Sequence, residues 1–333
     1  MIKARLRIVS LLAPTLALAV LLWLPRILSS YSSFVLALIM VNIIAVIGLN
    51  IVMGYAGLVS LGHAGFVGLG AYGTTLLMTH MGTGYIPSMF IVAVGAFIVG
   101  IVVGLPALRL GPIYLVMTTY AFGQAVTVIL VNWIDVTRGY NGLKVPVPTI
   151  LGMEIGTRDF YYVVVIVFAG LALLAWRLIH SSSGRALVAM RDSEAAAQAI
   201  GINLAIGKTM AFAISAVFGA IAGSLYAGLT QFINPDGFRF ANSLLYLNMA
   251  VVGGMGTMLG PVIGGSVLTL LPEAIRGFEE YRGVFSGAIL LTFLVFMPTG
   301  IVGAVRRLLG RRPAWLAGRR PIRERDLEVP HDS

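Results

Sequence analysis

The sequence predicts an all-α, polytopic transmembrane fold. Hydrophobic residues make up 58% of the 333 positions and charged residues only 11%. That is too little charge to cover the surface of a soluble domain of this size. The apolar residues fall into runs: Phe34–Met53, Ile86–Leu105, Ile113–Val131, Phe160–Ile179, Thr209–Leu229 and Val284–Ala304, with Arg177 the one charge among them. Each matches the roughly 20 residues that a helix needs to cross the hydrocarbon core. The runs are apolar all round, whereas a membrane barrel would alternate apolar and polar at period two, so helices are the spanning elements.

Taken in order, the predicted spans are about 8–24, 34–53, 63–80, 86–107, 112–131, 160–179, 208–230, 243–255, 259–272 and 284–305. The first follows Lys3, Arg5 and Arg7, like a signal peptide, but it is long and no small-residue cleavage site clearly follows it, so it reads as an anchor. The third, eighth and ninth are short or glycine-rich. Eight crossings with re-entrant segments fit the same charge pattern as ten. Cations concentrate on cytoplasmic loops. The N-terminal cluster, the segment His180–Lys208 and the C-terminal stretch Arg306–Arg325, with eight Arg and one acid, are therefore expected inside. Asn132–Asp159, of mixed charge, is expected outside. Both termini are then cytoplasmic. Residues 1–305 form the membrane domain and 306–333 a basic tail. The net charge of +10, which in a soluble protein would point to nucleic acid, is topological here, and no nucleic-acid partner is expected.

Glycine is abundant, with 40 residues, and clustered in Gly48–Gly73 and Gly253–Gly265. Single glycines in membrane helices usually serve close packing. Dense clusters holding Ser60, His63 and Pro261 favour broken helices, whose free backbone groups line a path. The residues assigned to these breaks are Gly57, Ser60, Gly62 and His63 in the first cluster and Gly253, Gly254 and Gly256 in the second. His63 is the only ionisable residue near the middle of an apolar region. Its two readings are a path-lining group and a neutral ring bonded to a backbone carbonyl at a break.

Energy coupling is not evident within the chain. Gly207-Lys208-Thr209 ends like a P-loop, but Ile202 stands where the first glycine belongs, and a membrane span follows. The confident spans carry no Asp or Glu for a proton relay. With no cysteine, thiolate metal sites and disulfides are excluded. No metal-ligand cluster or acid/base pair marks the spans as an enzyme's, and no cofactor or metal is expected. A passive channel for a small neutral solute would explain the scarcity of charge equally well, but not the next feature.

That feature is SSSGRALVAMRDSEAAAQAIGIN, residues 181–203. Alanine favours helix and Gly201 is a natural stop. Leu187, Met190, Ala195 and Ala199 form an apolar stripe, with Arg185, Arg191 and Glu194 on the other side. Small alanines favour docking to a soluble partner over lying on lipid.

Here the chain resembles a known family. Glu194-Ala195-Ala196 followed by Gly201 resembles the EAA…G loop that permease subunits of ATP-binding-cassette (ABC) importers present to their ATPases, with four intervening residues in place of three. GLNIVMGYAGLVSLGHAGFVGLGAYG (48–73), LRLGPIYLVMTTYAFGQ (108–124), GRALVAMRDSEAAAQAIGIN (184–203) and, in outline, SLLYLNMAVVGGMGTMLGPVIGG (243–265) look like the LivM-like permeases of branched-chain amino acid importers. The resemblance covers about 34–305 and is shared by urea- and amide-importer permeases. It implies a bacterial inner-membrane system of two permeases, this one and a second chain, with two ATPase subunits and a periplasmic binding protein. It further implies a coupling helix over Gly184–Gly201, including Arg185, Arg191, Asp192, Glu194, Ala195 and Ala196, and an outer docking region at Thr137–Gly142.

Overall fold

The computed structural model describes residues 19–27, 29–108, 111–150, 153–274, 287 and 300–308. Most of the predicted spans 8–24 and 284–305, the Lys3/Arg5/Arg7 cluster and residues 309–333 of the basic tail lie outside the described residues.

Helix α1 (Ser30–Asn50) starts at Ser29, whose hydroxyl accepts the Ser32 N–H at 3.2 Å and satisfies one of the first-turn donors. The helix then widens into a π-helical turn at Ile51–Tyr55. Helix α2 (His63–Met81) ends on Gly82 at φ 62°, a left-handed position that glycine occupies without steric cost. Helices α3 (Tyr85–Gly104) and α4 (Pro112–Asn132) are joined through a tight 3-10 turn at Leu105–Leu108. Pro112 sits in the first turn of α4, where its missing N–H has no helical partner to lose. A cap follows, with the two-residue strands β1 (Leu143–Lys144), β2 (Thr149–Ile150) and β3 (Met153–Glu154). Helix α5 (Thr157–His180) leads to the short helices α6 (Ser182–Asp192) and α7 (Glu194–Ala199). Helix α8 (Leu204–Thr230) is followed by β4 (Phe232–Ile233), a 3-10 turn at Pro235–Phe238, α9 (Phe240–Gly253), α10 (Gly260–Ala274) and α11 (Gly300–Leu308).

Five helical stretches among the described residues are long and apolar enough to cross a membrane: Ser30–Tyr55, Tyr85–Gly104, Ile113–Asn132, Arg158–His180 and Leu204–Thr230. The chain is an all-α polytopic membrane protein. Helix α9, with 14 residues, is shorter than a full crossing requires.

Helix α8 is the hub and packs along α1, α2 and α3. Its buried face repeats small residues four apart: Ala216, Ala220, Ser224 and Gly228, with Gly219, Gly223 and Ala227 beside them. Lipid supplies no hydrophobic drive for one helix to leave it for another, so association rests on close backbone approach and interhelical hydrogen bonds. Both are present. A Cβ on Gly70 of α2 would strike the Ala220 backbone, and one on Gly223 would strike Val67. The Thr74 and Ser224 hydroxyls bond across the interface at 2.7 Å. Much of the first glycine cluster therefore packs helices and does not break them. The outer faces carry the lipid-type side chains, with Phe90, Val94, Ile98 and Val102 of α3 and Ile166 and Leu173 of α5 exposed.

In this cap, β1 pairs antiparallel with β4, Leu143 opposite Ile233 and Lys144 opposite Phe232. Strands β2 and β3 form a separate hairpin.

Candidate functional site at the broken helices

The chain leaves helical geometry twice along one side of the bundle. The first break runs from the π-helical turn through Ala56–Gly62 to the start of α2, and the second is Gly254–Leu259, between α9 and α10. Gly57, Gly254 and Gly256 hold φ of 72°, 114° and 70°, which side-chain-bearing residues reach only under strain. Gly253, also assigned to the break, is helical and lets α9 approach Gly260 and Gly264 of α10.

The two breaks are stitched together by Asn50, the last residue of α1. Its Oδ1 accepts the Gly256 N–H at 2.8 Å and its Nδ2 donates to the Thr257 carbonyl at 3.0 Å. Asn50 is buried, so one amide satisfies a donor and an acceptor that the irregular backbone would leave unpaired. Sequence reasoning missed Asn50. Its signal is an amide near the end of an apolar run, at the start of a glycine cluster, a polar intramembrane residue of the kind that marks function.

The first break is anchored to other helices as well. Thr119 of α4 accepts the Leu61 N–H at 3.1 Å, and Ser243 of α9 accepts the Ala64 N–H at 3.0 Å. Gly62 abuts the Thr119 carbonyl so closely that a Cβ would overlap it. Ser60 is buried in the same loop. His63 is also buried, with Nε2 2.8 Å from the Ala45 carbonyl of α1 and Nδ1 3.5 Å from the Ser215 hydroxyl of α8. A carbonyl only accepts, so Nε2 carries the proton, and the hydroxyl stands where the bare Nδ1 of a neutral ring would accept from it. Of its two readings, this geometry fits the neutral ring that ties helices together at a break.

The segment 181–203 joins the same site. Expected as one helix over 181–203, it is two. Ser193 is extended (φ −163°, ψ 113°) and its hydroxyl accepts the Ala196 N–H at 3.3 Å, capping α7. Serine competes with helical hydrogen bonding and favours caps, which outweighs the helix propensity of the flanking alanines. The extended residue also shifts the phase of α7. Gly184, Leu187, Met190 and Ala197 are buried, while Ala195 and Ala199, expected on the apolar stripe, are exposed with Ala196.

The helical pattern places Arg191 on the face away from the apolar stripe. Instead it reaches the breaks, with Nη1 donating to the Gly54 carbonyl at 2.8 Å. A Cβ on Gly57 would meet Arg191 Cγ at 2.6 Å, and one on Gly256 would meet Nη1 at 3.0 Å. The arginine stem therefore covers one bare glycine and its head touches the other. Nε and Nη2 bind Asp192 Oδ1 at 3.1 and 2.9 Å. Arg185 donates to the His180 carbonyl at 3.2 Å, and Gly184 fits against the Leu178 and Ile179 carbonyls. Glu194 pairs with Lys208 of α8 at 2.8 Å. A cleft of about 580 Å³, lined by Glu194, Gln198, Asn203 and Lys208, opens between α7 and the start of α8. Gly201 closes the segment at φ 83°. Among the described residues, no three His, Asp or Glu side chains gather as a metal site would require.

Two backbone discontinuities in the bundle are thus held together by one amide and touched by the arginine of an exposed two-helix segment. A family model described as the permease component of branched-chain amino acid transport systems matches residues 31–294. The chain belongs to this family. Its relatives include the LivM permease protein of the high-affinity branched-chain amino acid transport system of Escherichia coli K12, 33% identical over 261 residues. The LivM protein of Salmonella typhimurium is 31% identical over the same length. In both cases the alignment covers 71% of this chain and 61% of the relative. The LivH permease protein of E. coli K12 is 29% identical over 188 residues, 53% of this chain and 61% of the relative. The chain thus spans about three fifths of the length of the curated relatives it matches. No solved structure matches it significantly. Both helix breaks and the α6–α7 segment of this family member lie within the matched residues.

Proposed function

We propose that the chain is the membrane-spanning subunit of an ABC importer, passing branched-chain amino acids delivered by a periplasmic binding protein across the bacterial inner membrane. It works beside a second, different permease and is driven by two ATPase subunits. Residues 1–305 form the permease domain and 306–333 a basic cytoplasmic tail. Both termini are cytoplasmic, and about ten helical segments include the short α9–α10 pair. Gly184–Gly201 is the surface that the ATPase engages, and Thr137–Gly142 belongs to the face that the binding protein meets.

The observation that carries this reading is the Arg191 contact with Gly54. A push on α6 is delivered directly to the first break, and through Asn50 to the second. Specificity rests mainly with the binding protein. The test is co-purification with the ATPase subunits, together with ATP-driven leucine uptake in proteoliposomes, before and after replacing Arg191 and Glu194. Assembly and uptake both fall if the reading holds. Undiminished assembly and uptake overturn it.

A further inference from the structure

Charge also occurs on the other side of α4. Phe240, the first residue of α9, packs its ring edge-on against Tyr120 at 4.9 Å, and the Phe238 carbonyl lies 3.4 Å from the Thr127 hydroxyl. Tyr120 and Thr127 stand 12 and five residues before the end of α4 at Asn132, about 18 and 7.5 Å at the helical rise. The 3-10 turn Pro235–Phe238 and Arg239 after it therefore lie alongside the last turns of α4 before Asn132 and bring Asp236 and Arg239 there. Neither is buried, at 55% and 48% side-chain exposure. Charged groups at this depth do not face lipid; they face a partner or a water-filled space.

A pocket of about 480 Å³ lies there, lined by Gln124, Val131, Asn132, Tyr140, Arg239 and Phe240, a size typical of small-ligand sites. Arg239 is held by a single nitrogen. Nη2 binds both Asp236 Oδ1 at 2.8 Å and the Tyr140 hydroxyl at 2.9 Å, and the guanidinium lies 5.5 Å above the Tyr140 ring. Among the described residues, Nε and Nη1 make no hydrogen bond or ion pair. The fork of donors that suits a carboxylate is thus half free. Its half-exposed ion pair is of the weakly held kind that a competing charge can exchange.

We propose that this pocket is a transit site for a zwitterionic amino acid. The inference rests on the importer reading above. The ligand's α-carboxylate takes the open side of Arg239, its ammonium pairs with Asp236, which lies outside the lining but is bonded to Arg239 at its edge, and its branched side chain lies against Val131 and Phe240. A zwitterion replaces one internal pair by two, whereas a neutral solute or a simple cation does not.

The chain has no cysteine, so Ala241→Cys, at the exposed rim of the pocket, is a clean probe for maleimide labelling of the assembled complex. Leucine at about four times its Kd leaves about one fifth of the sites free and slows labelling about fivefold. Leucinol, which lacks the carboxylate, and acetate, which lacks the ammonium, do not slow it. Adding Arg239→Gln abolishes the protection and Arg239→Lys retains part of it. Labelling that saturating leucine does not slow overturns the proposal, as does equal protection by leucinol or acetate. If wild-type complex takes up leucine with ATP but shows no protection, this inference falls and the importer reading stands. Protection without ATP-driven uptake does the opposite: the amino acid site stands and the importer reading falls.

Discussion

The contact between Arg191 and Gly54 is the first to perturb. In Arg191→Met the stem that covers Gly57 is kept and the guanidinium is lost. A hydrogen bond with one charged partner contributes about 1.5–3 kcal/mol. The Arg191 side chain is 34% exposed, and solvent screening brings the figure to the lower end, about 1.5 kcal/mol. The bond to Asp192 adds nothing to the grip, because both residues belong to α6. Since about 1.4 kcal/mol corresponds to a factor of ten in population, the unlatched arrangement of the first break should become about tenfold more frequent. Leu58 reports it. It is 8% exposed inside the break, and its N–H bonds the Val52 carbonyl at 3.0 Å. With Leu58→Cys in the cysteine-free chain, maleimide should label the Arg191→Met background about tenfold faster than the parent. Arg191→Ala, which also bares Gly57, should be at least as fast. If the rates in Met and parent backgrounds agree within about twofold, the arginine is not a latch.

Three further outcomes are expected. Asn50→Leu keeps the approximate shape but leaves the Gly256 N–H and Thr257 carbonyl without their partner, and should destabilise the protein by about 2–3 kcal/mol; an unchanged thermal melt would contradict the stitching role. Gly223→Leu forces a side chain into the Val67 backbone, where overpacking costs at least about 1–3 kcal/mol; the variant should elute as aggregate or melt well below the parent, and a monodisperse protein with the parent melting temperature would show that α2 and α8 can separate. Glu194→Ala breaks a pair whose acid is 53% exposed but leaves Lys208, 11% exposed, without its partner, so it should cost about 1–3 kcal/mol by denaturation, while binding of the ATPase subunits should weaken.

Apolar blocking and length located the long helices because the bilayer imposes both directly, and α3, α4, α5 and α8 lie within a few residues of their expected bounds. The glycine clusters announced breaks, and breaks are there at Ala56–Gly62 and Gly254–Leu259. Glycine serves packing and conformation alike, so the cluster could not say that Gly70 packs against α8 while Gly57 turns the chain. Period alone could not reveal the interruption at Ser193, because the flanking alanines favour helix on both sides and only the capping chemistry of one hydroxyl tips the balance. Asn50 with Gly256, Arg191 with Gly54, and Arg239 with Tyr140 join residues far apart in the chain. Their partners are backbone groups or a ring from other helices, which one sequence does not pair.

The small ladder between β1 and β4 has a practical consequence for engineering. Residues 143–144 and 232–233 lie far apart in the chain yet are hydrogen-bonded neighbours. Just before β4, Gln231 turns the chain at φ 56°, and just after it comes the stretch that carries Asp236 and Arg239. The cap formed by β1–β3 and that stretch are thus one mechanical piece made of two sequence segments. A chimera that exchanges residues 133–156 with a relative, and leaves 231–239 behind, would graft half of a hinge; the two segments must be swapped together.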